Sequence, residues 1–591
     1  MSHYQAPLRD MSFVRQEMFA SQQRWQRLPG LNHLDDDTAT AVLSGAATVA
    51  AEIIDPLNPT GDRDGVRFKQ GKVTTPPGFK DAFDAFVGGG WNRIAAAVEF
   101  GGMGMPASVG MATNEMFYAA GIAFTMYSGL TSAACTAIAA TGSEALKQRY
   151  LPPMIAGKWA GTMCLTESQA GTDLGLMRTR AEKQPDGSYR ISGSKIFISG
   201  GEQDLTENII HLVLARLPDA PAGSRGISLF LVPKVLPDEA GALGPHNALS
   251  CGSVENKMGI HGSATCVMNF DGAKGWLLGE ENKGLQAMFI MMNHERLGVG
   301  NMGVAVGERA YQRAVAYARE RLQGRAVGAP AGSPPQPLIA HGDVRRMLLT
   351  MKALTEGGRA LIGYIARLLE LEKYSEESDE RVRAGNLVAL LTPVAKAFST
   401  DMGFACCVDG QQIFGGHGYI REHGIEQLVR DARITQIYEG ANGVQAADLL
   451  GRKTLKCGGQ FLTQWLSEIR EFMTGVAPAI RSEFNPQLEA VMGDVESLTQ
   501  NLLARLGEDP DEAGAAATEY LHIIGYLTHA YLWLRAADIA LRKLDSEPDF
   551  YRVKLQTARF YYARILPRIH SLIICVEAGG NTLSVMKPDD F

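Results

Sequence analysis

A chain of 591 residues that is 46% hydrophobic and 20% charged can bury more than one core, so about two to four domains are expected. A net charge of -7 gives no general reason to bind nucleic acid, and no uninterrupted apolar stretch reaches the length that a transmembrane segment demands. Met1 to Arg27 lacks an apolar signal core, and the eight cysteines (135, 164, 251, 266, 406, 407, 457 and 575) form no CxxC pair; the expectation is a soluble, cytoplasmic protein with buried free thiols, no disulfide framework and no metal site.

Residues 1–158 read as an N-terminal helical domain. Phe79 to Val98 and Asn114 to Ala140 carry apolar residues at three- and four-residue spacing, interrupted by Gly88 to Gly90 and by Gly101 to Pro106. The small residues and methionines of the second segment suit either ordinary helix packing or a channel for a flexible apolar chain. From Trp159 the texture becomes that of a middle β-domain over residues 159–282. Its strands are expected at Gly161 to Leu165, Tyr189 to Ser199, Ile209 to Ala215, Ile227 to Pro233, Cys266 to Phe270 and Trp276 to Leu278, with Pro185-Asp186-Gly187 as a turn.

Helical periodicity returns over 283–455 as a four-helix-bundle domain, in Leu285 to Gln323, Asp343 to Glu372, Glu380 to Phe414 and Ile425 to Gly451. The proline-rich segment 324–342 between the first two is expected to cross the surface as a loop. An additional helical domain fills 456–591, with helices at Phe461 to Thr474, Asn485 to Leu506, Glu512 to Lys543 and Phe550 to Ala578. That block holds thirteen Lys/Arg against eighteen Asp/Glu, so it neither neutralises phosphates nor seeks anionic lipid. The apolar spacing of Tyr520 to Leu541 reads as a packing face. The fold class is α+β, mostly α.

The stretch from Arg430 to Gln445 concentrates the chemistry. Tyr438-Glu439-Gly440 interrupts two helix-compatible segments, and Gly440, Ala441, Asn442 and Gly443 free the backbone to approach a bulky ligand. A carboxylate beside such a loop is a candidate base; taken alone, Glu439 is as well explained as a solvated residue at a helix start.

Other segments set it in context. Met163-Cys-Leu-Thr-Glu-Ser-Gln-Ala-Gly-Thr-Asp173, Lys195-Ile-Phe-Ile-Ser199, His294-Glu-Arg-Leu297, Tyr317-Ala-Arg-Glu-Arg321, Gln412-Ile-Phe-Gly-Gly-His-Gly-Tyr419 and Arg430 to Gln445 together resemble, in order, the signatures of the acyl-CoA dehydrogenase family. These are flavoenzymes that oxidise acyl-CoA thioesters at the α and β carbons, and the resemblance covers residues 35–455. Tyr4 to Asp10 and the additional C-terminal block further resemble a long subgroup that includes bacterial fatty acyl-CoA dehydrogenases and 3-methylmercaptopropionyl-CoA dehydrogenases.

The resemblance implies FAD, since no side chain accepts a hydride. It sets Met163, Leu165, Thr166, Gly171 and Thr172 along the isoalloxazine and pyrophosphate, and Phe197 and Ser199 beside the ring. Arg321, Gln412, Gly415 and Gly416 match positions that hold the FAD diphosphate and adenosine of a neighbouring subunit, and Ala441 and Gly443 also match cofactor positions, which implies a homodimer or higher homo-oligomer. Thr172, Asn293, Arg296, Tyr438 and Gly440 match positions along the acyl-CoA. Glu439 matches the base that takes the α proton, its own backbone N–H polarising the thioester carbonyl. Glu295 stands where an isovaleryl-type minority carries its base; those members lack the loop glutamate, so Glu295 reads as a pocket or salt-bridge residue. His417 reads as structural. Gly324 replaces a common phenylalanine, and Ser168 replaces a common proline after Glu167, a change expected to loosen that turn.

The activity implied is dehydrogenation of medium- to long-chain fatty acyl-CoA to trans-2-enoyl-CoA, as in β-oxidation, with electrons passing to an electron-transfer flavoprotein. The alternatives are a 3-methylmercaptopropionyl-CoA dehydrogenase, an acyl-CoA oxidase, and a non-catalytic flavin-binding protein of the same fold.

Overall fold

The structure, a computed structural model, describes residues 3–238, 241–506 and 512–591. It divides into two compact units, one made of Met1–Ser44, Ala107–Ala119 and Val299–Phe591, the other of Gly45–Pro106 and Ala120–Gly298.

The second unit is organised by a seven-stranded sheet: β1 (Trp159–Cys164), β2 (Arg180–Lys183), β3 (Tyr189–Ser199), β4 (Asn208–Arg216), β5 (Ile227–Pro233), β6 (Leu249–Val254) and β7 (Thr265–Leu278). The strand order is β6-β7-β3-β2-β4-β1, and β5 pairs with both β7 and β4, so the path from β7 through β3, β2, β4 and β5 closes on itself. Strands β4 and β5 are buried on both faces, which is why they read as continuous apolar runs. Ile210, Leu212 and Leu214 point into a core shared with Ala134, Tyr150, Met154 and Met288; Val213 and Ala215 point to the opposite core, with Phe230, Cys266 and Phe270. Two expected strands, Cys266 to Phe270 and Trp276 to Leu278, are one long strand. A bulge between Asp271 and Ala273 interrupts the alternation without ending the pairing. A hairpin, Arg67–Lys69 with Lys72–Thr74, also stands in a region expected to be helical; Gln70 and Gly71, at φ +50° and +77°, supply the paired left-handed residues that a two-residue hairpin turn needs.

The first unit is helical. Its principal elements are α1 (Gly284–Glu320, from Val299 onward), α2 (Gly342–Tyr374), α3 (Ser378–Phe414), α4 (Glu512–Arg542) and α5 (Pro548–Phe560). Helices α1 and α3 touch backbone to backbone: a Cβ on Gly403 would lie 2.1 Å from the Gly303 carbonyl oxygen, and one on Gly303 2.5 Å from that of Ser399. Helix α4, from the additional C-terminal block, is buried along its length, as its apolar spacing suggested. The Phe398 ring lies 2.4 Å from where a Cβ on Gly525 would be, His529 lies 2.6 Å from a Cβ on Gly357, and Trp533 Nε1 donates to the Ala353 carbonyl at 3.1 Å. The expected helix Phe550 to Ala578 is broken into Pro548–Phe560, Tyr561–Ile565 and Arg568–Glu577, because Pro567 cannot donate to the ladder.

A buried charge cluster joins the ends of this unit. Arg359 binds Glu115 at 2.6 Å, Glu308 at 2.7 Å and also Asp10; Lys554 of α5 binds Asp10 and, at 2.7 Å, Glu356. Burial would push the Asp10 carboxyl up, but Lys554 and Arg359 hold it down at about 2.

One expectation needs correction. All eight cysteines are free, but Cys575 is exposed and Cys457 partly so, because Cys575 lies on the helix Arg568–Glu577 and Cys457 in the turn before the helix Gln460–Gly475, neither of them in a core. Two helical stretches, Asp36–Asp64 and Ala107–Thr141, are long and apolar enough to cross a membrane by length and composition; 33% and 67% of their apolar windows are buried within the protein. The second is packed as a core helix is.

Candidate functional site

In the first unit the chain leaves helix Ile425–Arg433, makes a 3-10 turn over Ile434–Gln436, and re-enters helix at Asn442–Ala447. Between them Glu439 and Gly440 are both left-handed, at φ +59° and +79°. Gly440 accepts this freely; Glu439 does so at a cost of about 1–2 kcal/mol. The turn is held from inside: Tyr438 donates through its hydroxyl to Met302 Sδ at 3.1 Å, and the buried Gln445 donates to the carbonyls of Glu439 and Gly440 at 3.2 and 3.3 Å. Glu439 is half-buried with its Oε2 enclosed.

At the far end of α1, Tyr317 stacks on Phe414 with ring centroids 4.1 Å apart, and its hydroxyl meets His417 Nδ1 at 2.9 Å. His417 therefore has a bonding partner within the fold, as a structural histidine should. This stacking ties the helix end that carries Arg321 to the segment with Gln412, Gly415 and Gly416, and all four are exposed. Gly415 is at φ +57°. A Cβ on Gly415, Gly416 or Gly443 would meet nothing within 4 Å, so the surface beside these backbones is open to a ligand. At Gly324 the backbone is left-handed, φ +63°, a conformation that a phenylalanine would adopt only under strain. The loop there is pinned by Gln336 N donating to Gly324 O at 2.9 Å and Gln323 N to Gln336 O at 3.0 Å.

In the second unit, Thr166 and Ser199 sit at the ends of β1 and β3. The two segments are joined by Ile196 N donating to Thr166 O at 2.9 Å and by the buried Lys195, whose Nζ binds Glu167 Oε1 at 2.8 Å and donates to Leu165 O at 2.9 Å. Glu167 also accepts from Arg178 N at 2.7 Å, and from Thr179 N and Oγ1 at 3.0 and 2.6 Å. Burial raises this carboxyl, but Lys195 and these donors outweigh it and hold it down at about 2. The expected loosening at Ser168 is not found. Glu167 and Ala170 exchange two backbone bonds, each 3.0 Å, so the turn closes without a proline. Lys195 and Glu167 lie inside the motifs without a motif role; the sequence signal for the pair is a lysine at an inward-facing strand position, which requires a buried counter-ion.

Phe197 is 60% exposed at φ +59°, strained for an aromatic residue. Met163 and Thr166 are half-buried, Leu165 is buried, and Gly171 and Thr172 are exposed; a Cβ on Gly171 again meets nothing within 4 Å. On the first turns of α1, Glu295 and Arg296 are buried at 5% and 7% exposure while Asn293 is exposed. Arg296 Nη1 donates to Asn293 Oδ1 at 3.3 Å, and its guanidinium lies 5.9 Å from the Phe289 ring centre. Burial also lowers the His294 imidazole, favouring its neutral form.

In the second unit, hydroxyls at strand ends and an exposed aromatic held in a strained conformation suit an aromatic ring system; in the first, open glycine backbones and an exposed guanidinium suit a diphosphate. Four family models cover the chain in sequence: acyl-CoA dehydrogenase N-terminal domain over 40–158, middle domain over 162–273, C-terminal domain over 282–453, and an acetyl-CoA dehydrogenase C-terminal-like segment over 465–587. The chain belongs to the acyl-CoA dehydrogenase family, FAD-dependent oxidoreductases acting on CH–CH bonds. It is 43% identical to the 3-methylmercaptopropionyl-CoA dehydrogenase of Ruegeria pomeroyi over 95% of this chain and 96% of that one. It is 33% identical to the broad-specificity linear acyl-CoA dehydrogenase FadE5 of Mycobacterium tuberculosis over 100% of both. The acyl-CoA dehydrogenase of Bacillus anthracis solved with FAD shares the fold, with a TM-score of 0.74 at 19% identity over 94% of this chain and 90% of that one.

Proposed function

We propose that the protein dehydrogenates a short acyl-CoA, 3-methylmercaptopropionyl-CoA or one of similar length, with Glu439 as the base. The observation that carries the reaction type is the strained Glu439-Gly440 turn: a carboxylate held on a left-handed backbone in a ligand-accessible loop can be positioned to take an α proton. FAD, when bound, accepts the hydride leaving the β carbon and so completes a trans-2-enoyl-CoA. Thr166 and Ser199 orient the cofactor from the second unit, with Met163, Leu165, Gly171, Thr172 and Phe197 flanking it. Arg321, Gln412, Gly415 and Gly416 serve a partner subunit's diphosphate, and Ala441 and Gly443 complete the cofactor contacts. Asn293, Arg296, Tyr438, Gly440 and Thr172 line the acyl-CoA path. An electron-transfer flavoprotein is the proposed acceptor and a homodimer the proposed assembly.

The full-length 43% identity supports the thioether substrate over the medium- to long-chain one; the likeness to a broad-specificity linear enzyme keeps linear fatty acyl-CoA as the second reading. Turnover of the thioether and of a linear chain-length series, with an artificial electron acceptor and oxygen uptake monitored, separates them. In anaerobic stopped-flow, Glu439→Gln should retain FAD and lose about three orders of magnitude or more in flavin reduction, at the upper part of what one positioned base supplies. Glu295→Gln should lose about tenfold or less, ~1.4 kcal/mol. The reverse ranking moves the base to Glu295.

A further inference from the structure

The turn bearing Glu439 runs only from Ile437 to Ala441, and the residues on either side of it meet on one carboxylate. Gln436 Nε2 and Asn442 Nδ2 each donate to Asp401 Oδ1 at 2.7 Å. The other oxygen, Asp401 Oδ2, lies 2.9 Å from His522 Nε2, and His522 stands on α4, in the additional C-terminal block. Asn442 is fixed from its other end as well: the fully buried Lys396 donates to its Oδ1 at 2.8 Å, and its Nδ2 also reaches Thr400 Oγ1 at 3.0 Å.

We infer that Asp401 is a positioning residue that staples the two ends of the catalytic turn, and that His522 makes this staple depend on the C-terminal block. The inference rests on Glu439 being the base. A left-handed glutamate stores strain that the turn can release by relaxing, and a base displaced from the proton it must take loses rate steeply. Holding both ends of the turn prevents this. A carboxylate suits the task because it has acceptor sites for two amides and an imidazole at once, whereas an asparagine would present an N–H₂ group to one of the three. Burial raises the Asp401 carboxyl, but its bonds to His522, Gln436 and Asn442 bring it below the usual value, so it stays an acceptor at neutral pH.

The test uses the FAD-loaded full chain and its His522→Phe, His522→Gln and Asp401→Asn variants. Two quantities are read: amide hydrogen exchange of the peptide spanning 434–445, and the rate and substrate dependence of anaerobic flavin reduction. In His522→Phe and Asp401→Asn, exchange in that peptide should rise about tenfold and the reduction rate fall about tenfold, with half-saturation changing by no more than about twofold. His522→Gln, whose amide can reach the same oxygen, should restore both. Unchanged exchange in 434–445, a rise spread evenly over the whole chain, or a glutamine variant no better than the phenylalanine one overturns the staple. If His522→Phe does not fold, Asp401→Asn and His522→Gln decide the question. Failure of the wild type to reduce flavin with any acyl-CoA sinks the dehydrogenase reading alone, because exchange still reports on the turn.

Discussion

Glu439 holds its carboxylate on a backbone at φ +59°, where glycine is the comfortable residue. Glu439→Gly should therefore abolish flavin reduction while raising unfolding stability by about 0.5–1 kcal/mol, the relief of the left-handed strain less the entropy of an added glycine; chemical denaturation of the FAD-loaded variant measures it, and a loss of stability contradicts the strain. The turn was legible in the sequence because Gly440 and Gly443 punctuate it. The matching strain at Phe197 was not, because Lys195-Ile-Phe-Ile-Ser199 reads as a regular strand and nothing in it marks one residue as left-handed. Glu167 leads to a pH prediction. Its carboxyl is depressed to about 2 in the folded chain, below the ordinary ~4.3 of a glutamate, so the folded state binds fewer protons than the unfolded one as pH falls. The stability it contributes is present above pH ~4.5 and is lost as pH drops towards ~2. Urea midpoints should fall across that window, and the fall should be shallower in Glu167→Gln.

The helical elements show why glycine content is a poor guide by itself. Gly403 and Gly493 both lie inside helices, yet a Cβ on the first would strike the Gly303 carbonyl oxygen at 2.1 Å while one on the second would meet nothing. Gly403→Ala should cost about 3 kcal/mol or more, since a backbone oxygen cannot step aside as a side chain can. Gly493→Ala should stabilise by about 0.4–1 kcal/mol. Thermal unfolding of the pair checks both signs. Helix identities came directly from apolar spacing, and β3 and β5 were expected with the bounds they have. The joins were harder: the Gln70-Gly71 hairpin is too short to show periodicity, and the bulge within β7 looks like a loop when only alternation is read.

At the scale of the whole molecule, the C-terminal block is part of the first unit's core. Arg359→Met would leave Asp10, Glu115 and Glu308 around an uncharged side chain and should destabilise by about 3–5 kcal/mol. Cutting the chain near Gly458 removes α4 and Lys554, uncovers Phe398 and Gly357, and should yield aggregates or a changed assembly in size-exclusion chromatography. A soluble truncated enzyme of unaltered assembly would show the block to be detachable. This integration was only half legible: the acidic count excluded phosphate binding and the apolar face announced packing, but no sequence pattern pairs Asp10 with Lys554.

That pairing bears on how the protein is made. The second unit is complete once residue 298 has left the ribosome, whereas Asp10, translated earlier still, waits for Lys554, roughly 250 residues later than that point. At ~5–20 residues per second the delay is on the order of 10–50 s. Throughout it the amino-terminal segment has emerged without Lys554, though Arg359 comes earlier, and the glycine-lined helices without α4. Nascent chains should therefore carry one finished unit and one unfinished unit for about the second half of their synthesis, and demand on chaperones should fall on the unfinished one.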